Sequence, residues 1–335
     1  MTTFPDVLGE LAGRVGRVSA GLGARVDVAA LGVTERTGLL ALDAPTRSSP
    51  NRACRLVRAA DGWIAVNLAR AEDRELVPAW LEGEWGQDAW RLVERGVPDR
   101  AVAQLLADGA DLGLPVSSLG EYTRPGPEAP VSIAGAARSR SGPPRVVDLS
   151  ALWAGPMCGT ILAAAGCEVT KYESAARPDP TRISTPEFYR RLNRAKREMT
   201  LNFADPRDRA HLREALLRAD VVITAARPRA FASLGFHPQE IVEGGAVWVG
   251  ITGHGWANGC RVAFGDDAAV AGGLVRWTAG EPHFLGDALA DPVVGLAAAV
   301  GALEALALGV AAFVDAGLAP CAAGAAAAMG LVGAE

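Results

Sequence analysis

The chain has 335 residues, half of them apolar, and a net charge of −5. That length accommodates two ordinary domains with a sizeable core, which excludes global disorder. The acidic balance and scattered arginines argue against a nucleic-acid binder.

The N-terminal stretch MTTFPDVLGELAGRVGR is amphipathic and lacks the apolar core of a signal peptide, which predicts a cytoplasmic location. After an Asp-Gly turn, Gly62–Val66 reads as a strand. Asp73–Trp80, Gln87–Arg95 and Asp99–Ala107 read as helices. Residues 1–122 are therefore expected to form a small α+β domain. Its tryptophans (Trp63, Trp80, Trp85, Trp90) fit core or interface positions better than a ligand cage. Residues 123–144, TRPGPEAPVSIAGAARSRSGPP, lose apolar periodicity and read as a linker.

From residue 145 onward strand and helix alternate. Val146–Leu149, Glu168–Tyr172, Asp220–Thr224, Val247–Thr252 and Ala311–Val314 read as strands. Met157–Ala165, the segment from Asp205 to Ala219 and the segment from Pro292 to Leu308 read as helices. The pattern predicts an α/β fold over 145–335: a Rossmann-like parallel sheet with helices on both faces, its ligand outside the carboxyl ends of the strands. Residues 316–334 carry no charge and reach membrane-helix length. Alanine and glycine insert poorly, however, and Pro320 breaks the run, so a buried terminal helix and no membrane partner are expected.

Five cysteines (Cys54, Cys158, Cys167, Cys260, Cys321) show no C-x-x-C spacing, and the four histidines are dispersed. Neither a disulfide framework nor a metal site is indicated, and buried free thiols are expected.

Three stretches could carry chemistry. Trp153-Ala154-Gly155-Pro156 stands where the first strand gives way to a helix, a place for an anion at free amides or simply a tight turn. Arg194, Lys196 and Arg197 lie just before a strand; they read as a phosphate contact or, taken alone, more readily as a solvated basic turn. Asp291-Pro292 opens a long Ala/Leu helix. An ordinary N-cap explains it, as does a carboxylate exposed to a cleft. Asp266, Asp267 and Asp287 add carboxylates that could share that cleft.

Together, RVVDLS…AGP…GCEVTKYES…RLNRAKREMTLNF…ADVVITAARP…VWVGITGHG…GDDAAVAGGL…GDALADPVVGLAAAVGALEAL resembles the class III CoA-transferase family over residues 145–318. That family includes formyl-CoA and carnitine CoA-transferases and α-methylacyl-CoA racemases. The resemblance implies that Asp291, opening D-x-x-x-G, attacks a thioester to give an acyl-aspartyl anhydride, and that CoA returns onto a second acid. Gly272-Gly273 or the glycines near 253–255 would supply oxyanion amides. CoA would be a substrate contacted by residues 153–156, Arg194, Lys196, Arg197, Ala225 and Ala226, with no metal and no tightly bound cofactor. Acyl-CoA and carboxylic acids would be the partners, in a homodimer, interlocked as in the family.

The chain departs from the family pattern in several places. Gly265-Asp266-Asp267 replaces the racemases' Gly-His-Asp, and Ala225-Ala226 replaces an Asn-Phe pair. Ser174 stands where a cation is common, with Arg177 or Arg182 as substitutes. Text resembling the family's later domain, residues 55–69 and 111–121, precedes the linker, so a permuted domain order is expected. Racemase or hydrolase chemistry on the same scaffold, and a non-catalytic binding role, remain the alternatives.

Overall fold

The computed structural model describes residues 2–331. Helix α1 (Phe4–Gly21) and the single turn α2 (Val28–Leu31) lead into strands β1 (Cys54–Arg58) and β2 (Trp63–Asn67). Helices α3 (Ala71–Leu81), α4 (Ala89–Gly96) and α5 (Val102–Leu112) and strand β3 (Val116–Ser118) follow. The three strands form an antiparallel sheet, β1-β2-β3. Ile64, Val66, Val77, Trp80, Leu92 and Leu105 give this small unit its own core.

Strand β4 (Val131–Ala136) comes next, then β5 (Arg145–Leu149), α6 (Ala154–Ala164), β6 (Glu168–Ser174), α7 (Thr181–Ser184), α8 (Pro186–Asn193) and β7 (Arg197–Leu201). Helix α9 (Pro206–Arg218), β8 (Val221–Thr224), α10 (Pro228–Ser233), α11 (Pro238–Glu243) and β9 (Val247–Thr252) continue the alternation. Helix α12 (Gly265–Ala271), the hairpin β10 (Val275–Thr278) and β11 (Glu281–Phe284), α13 (Ala290–Leu308), β12 (Val310–Gly317) and α14 (Leu318–Met329) end it.

Seven strands make the large sheet, in the order β4-β12-β9-β8-β5-β6-β7. All neighbours are parallel except β4, which runs antiparallel along β12. Side chains alternate across a strand, so each buried strand feeds two cores. Val146, Val221 and Val247 face α1, α6, α13 and α14. Val147, Val222 and Trp248 face α9 and α11 on the other side. The Rossmann-like sheet with helices on both faces, beside a smaller α+β unit, matches the expectation.

Two expectations need correction. Helix α1 does not belong to the small unit: Val7, Leu11 and Val15, one helical turn apart, pack into the core built around α13. Residues 123–144 are not a bare linker, because β4 within them closes one edge of the large sheet. Its residues are all exposed, which hid the strand from apolar patterning. The tryptophans divide: Trp63 and Trp80 are buried, but Trp85 stands in solvent.

Helix α13 is long and apolar enough to span a membrane by length and composition, yet 78% of its apolar window is buried within the protein, as a core helix requires. Helix α14 packs against α12 and α13 as a buried terminal helix. Residues 332–334 of the uncharged stretch lie outside the described residues. Four of the cysteines are buried free thiols, whereas Cys260 is exposed.

Candidate active site

Strands β5, β6 and β8 end at one side of the sheet, and their following turns carry Leu152 and Trp153, Arg177, and Arg227, with Arg229 just inside α10. These residues line a cavity of about 1150 Å3, which is large for a small-molecule site. Its other walls come from far along the chain: Arg36, Asn51 and Arg70 from the N-terminal part, and Gly265, Asp266, Ala288 and Asp291 around the starts of α12 and α13.

Asp291 is not an N-cap. Leu289 holds that position, and Asp291 is the second residue of α13, so its side chain projects into the cavity instead of back onto its own helix. Its Oδ1 accepts from the Ala154 N–H at 3.4 Å. Its Oδ2 rests against Gly265, where a Cβ would lie only 2.0 Å away. Burial pushes its pKa up to about 7; Arg36 and the Ala154 amide pull the other way, and Asp266 and Asp287 add to the rise.

Behind Asp291 lies a bonded cluster. Arg36 grips Asp287 with two hydrogen bonds of 2.6 and 3.0 Å and stacks 4.9 Å above the Trp153 ring. Asn51 Nδ2 donates to Asp266 at 2.8 Å and to Asp287 at 3.2 Å, and the Ala288 N–H donates to Asp266 at 2.8 Å. Burial, followed by the nearby Asp287 charge, pushes Asp266 up to about 6. Trp153 Nε1 donates to the Val33 carbonyl at 2.8 Å, which fixes the ring in the cavity lining.

Part of the lining is cationic. Arg70 is paired with Asp73, but Arg177, Arg227 and Arg229 have no carboxylate partner among the described residues. Burial, then the charges of Arg229, Arg70 and Arg177, depresses the pKa of Arg227, as expected where guanidiniums crowd together. Such a lining favours a polyanion.

Several expected site residues fall elsewhere. Lys196 is fully buried, donating to Asp148 at 2.8 Å, Pro156 O at 2.8 Å and Asn193 Oδ1 at 2.9 Å, so it is a packed ion pair and not a phosphate contact. Arg194 and Arg197 line a separate depression at the amino ends of β5, β6 and β7, the wrong end of the sheet. Gly272 and Gly273 spend their N–H groups on Ala268 and Val270; a Cβ at Gly272 would meet Ala323 N at 2.4 Å. They allow close helix packing and are absent from the cavity wall. Gly253 is similarly closed by Ala263. Asp267 lies outside the cavity, tying α12 to the small sheet through Asn67 at 2.8 Å and Ser117 at 3.5 Å.

Gly155 and Pro156 are buried beneath the cavity, while Trp153 lines it and Ala154 touches Asp291. Ala225 and Ala226 only lead into Arg227. Of the two candidate substitutes for the missing cation, Arg177 reaches the cavity and Arg182 is paired with Glu173 and Glu198. Arg36, Asn51, Arg227, Arg229 and Gly265 were not legible as site residues. For Gly265 and Arg227 the signal was adjacency to motifs already singled out. For Arg36, separated from Asp287 by 251 positions, there was none.

A carboxylate at a helix start and a group of guanidiniums thus share one cavity at the carboxyl ends of a parallel α/β sheet, the place where such folds hold their ligands. Residues 144–329 match the family model described as CoA-transferase family III, and the chain belongs to that family. It is 32% identical over 174 residues to an acyl-CoA transferase of Fusarium pseudograminearum, covering 45% of this chain and 38% of that protein. It is 29% identical over 176 residues to succinyl-CoA–D-citramalate CoA-transferase of Chloroflexus aurantiacus, covering 48% and 44%. A CAIB/BAIF family protein from Brucella suis has a similar fold, with a TM-score of 0.52, 26% identity and coverage of 57% and 56% of the two chains. The matches span about two fifths of the length of these curated relatives.

Proposed function

We propose that this protein moves CoA between carboxylic acids, with Asp291 as the nucleophile. The observation that carries this reading is a single one: Asp291 faces the cavity with one oxygen on an amide and the other against a bare glycine, in a lining that includes three guanidiniums with no carboxylate partner among the described residues. The ionised carboxylate attacks the thioester carbonyl, the C–S bond breaks, and CoA thiolate leaves an acyl-aspartyl anhydride. CoA then returns onto a second acid. The Ala154 N–H replaces Gly272-Gly273 as the amide nearest the reaction. Arg177, Arg227 and Arg229 hold the phosphates of CoA, which enters as a substrate, and the chemistry uses no metal or redox cofactor.

The same reading treats the small unit, residues 54–118, as the counterpart of the family's later domain, moved to the front, and the active form as a homodimer, which light scattering would measure. The chemistry is tested by incubating the protein with acyl-CoA and hydroxylamine. Mass spectrometry should find the modification on Asp291, and label should exchange between free acid and thioester. Full activity of Asp291→Ala on the acyl-CoA used would overturn the assignment. Exchange of the α-proton without acyl exchange would point to racemisation, and thioester loss without exchange to hydrolysis.

A further inference from the structure

The turn joining β5 to α6 is held by an unusual amount of buried charge. Leu152 has a φ of 70°, a left-handed backbone that disfavours any residue with a Cβ. Its N–H donates to both oxygens of Asp179, at 3.3 and 3.2 Å. Asp179 is only 3% exposed. It also accepts from the Thr181 N–H at 3.1 Å, the Thr181 hydroxyl at 2.6 Å and Lys171 Nζ at 3.3 Å. Lys171 is completely buried, with Glu173 3.5 Å away, and donates to the Ser150 carbonyl at 2.5 Å. Ser150 N–H in turn donates to Asp148 at 2.9 Å, the carboxylate that pairs with Lys196. The chain has two lysines, and both lie in this network beneath one short turn.

We propose that the buried Lys171–Asp179 pair is a positioning device: it holds Leu152 left-handed and thereby aims the Ala154 N–H at Asp291. The next two residues make the connection. Trp153 is pinned to Val33 O at 2.8 Å, and Ala154 N lies 3.4 Å from Asp291 Oδ1. Relaxation of Leu152 to ordinary backbone would rotate the peptide that follows and carry this amide away from the carboxylate. A pair serving only to neutralise buried charge would have no reason to place Asp179 on the N–H of the one strained residue in the turn. The role concerns the reaction proposed above and rests on Asp291 being the reacting group.

The test follows the Asp291 carboxyl directly. Protein labelled with 13C at its aspartate carboxyls is titrated by infrared spectroscopy, the Asp291 band being assigned by difference against Asp291→Asn. Arg36, Asp266 and Asp287, the charged groups facing it, are left intact. Asp179→Asn is expected to raise the Asp291 midpoint by about half a pH unit, because an amide that favours the anion is lost. It should lower kcat about tenfold with KM for the thioester within about twofold. Adding Leu152→Gly, which removes the backbone strain, should restore both values. An unchanged midpoint in folded Asp179→Asn, or no rescue by Leu152→Gly, overturns the proposal. Should Asp179→Asn alone fail to fold, the double variant is expected to fold, and its failure also overturns it. If the midpoint moves as expected while Asp291→Ala keeps full activity, the positioning stands and the nucleophile assignment falls.

Discussion

A methyl group on Gly265 would lie 2.0 Å from Oδ2 of Asp291 and 2.7 Å from both the Cβ and the carbonyl oxygen of Ala288. Two helix starts, α12 and α13, therefore meet at a glycine whose missing side chain is the space the carboxylate occupies. None of these contacts is a flexible chain end free to withdraw except the carboxylate itself.

Gly265→Ala should consequently displace Asp291 before it disturbs the fold. Overpacking of this kind costs about 1–3 kcal/mol. Activity is expected to fall roughly a hundredfold, because small misplacement of a reacting group is expensive in rate. Steady-state kinetics beside a thermal melt checks both, and a variant with native rate would contradict the geometry.

The proposed attack on the thioester requires Asp291 ionised. Its pKa is pushed up to about 7, mainly by burial. The rate should therefore climb about tenfold per pH unit below that value and level off above it. Pre-steady-state release of CoA, measured from pH 5 to 9, reads this profile.

Arg36 favours the anionic form of Asp291 while pairing with Asp287. Arg36→Met should shift the rate profile upward by about one pH unit, so that the loss is about tenfold at acid pH, smaller at neutrality, and vanishes in alkali. A uniform loss at every pH would instead mark Arg36 as a substrate contact.

Asp267 offers a stability prediction of opposite character, since it touches no cavity. Burial raises its folded pKa to about 7 from 3.8. A group raised on folding contributes stability that is complete below its unfolded pKa and is lost as pH rises through the folded one. Asp267→Asn removes that dependence. Relative to the unmodified protein, the variant should gain stability from pH 4 to about pH 7 in urea titrations and level off above that, with no gain below pH 4.

Lys196 and Asp148 are both fully buried and 2.8 Å apart. Lys196→Met leaves an unpaired buried carboxylate and should cost about 3–5 kcal/mol. Adding Asp148→Leu should recover part of it, the remainder being the lost bonds to Ser150. Chemical denaturation of the two variants gives the comparison.

Much of the fold was legible because its signals are local. Val146, Val221 and Val247 sit in short apolar runs bounded by turns, and such runs identify buried strands whatever surrounds them. Strand β4 was not legible: its residues Val131–Ala136 are exposed and set among prolines and glycines, and only its pairing to β12 makes it a strand. The stretch that forms helix α1 was legible only as amphipathic, and its sequence could not say that Val7, Leu11 and Val15 face α13 and not the nearer small unit.

The site divides in the same way. The sequence by itself determined that an aspartate stands at the start of a long apolar helix in an alternating α/β half, because periodicity and proline's preference for a helix start act over a few residues. Tertiary structure alone decided which charges meet. Lys196, apparently a free cation, is consumed by Asp148, while Arg36 arrives from the far end of the chain to stand beside Asp291. Burial and pairing depend on residues separated by tens to hundreds of positions, and they are what turn a common helix-start carboxylate into one poised to ionise near neutral pH.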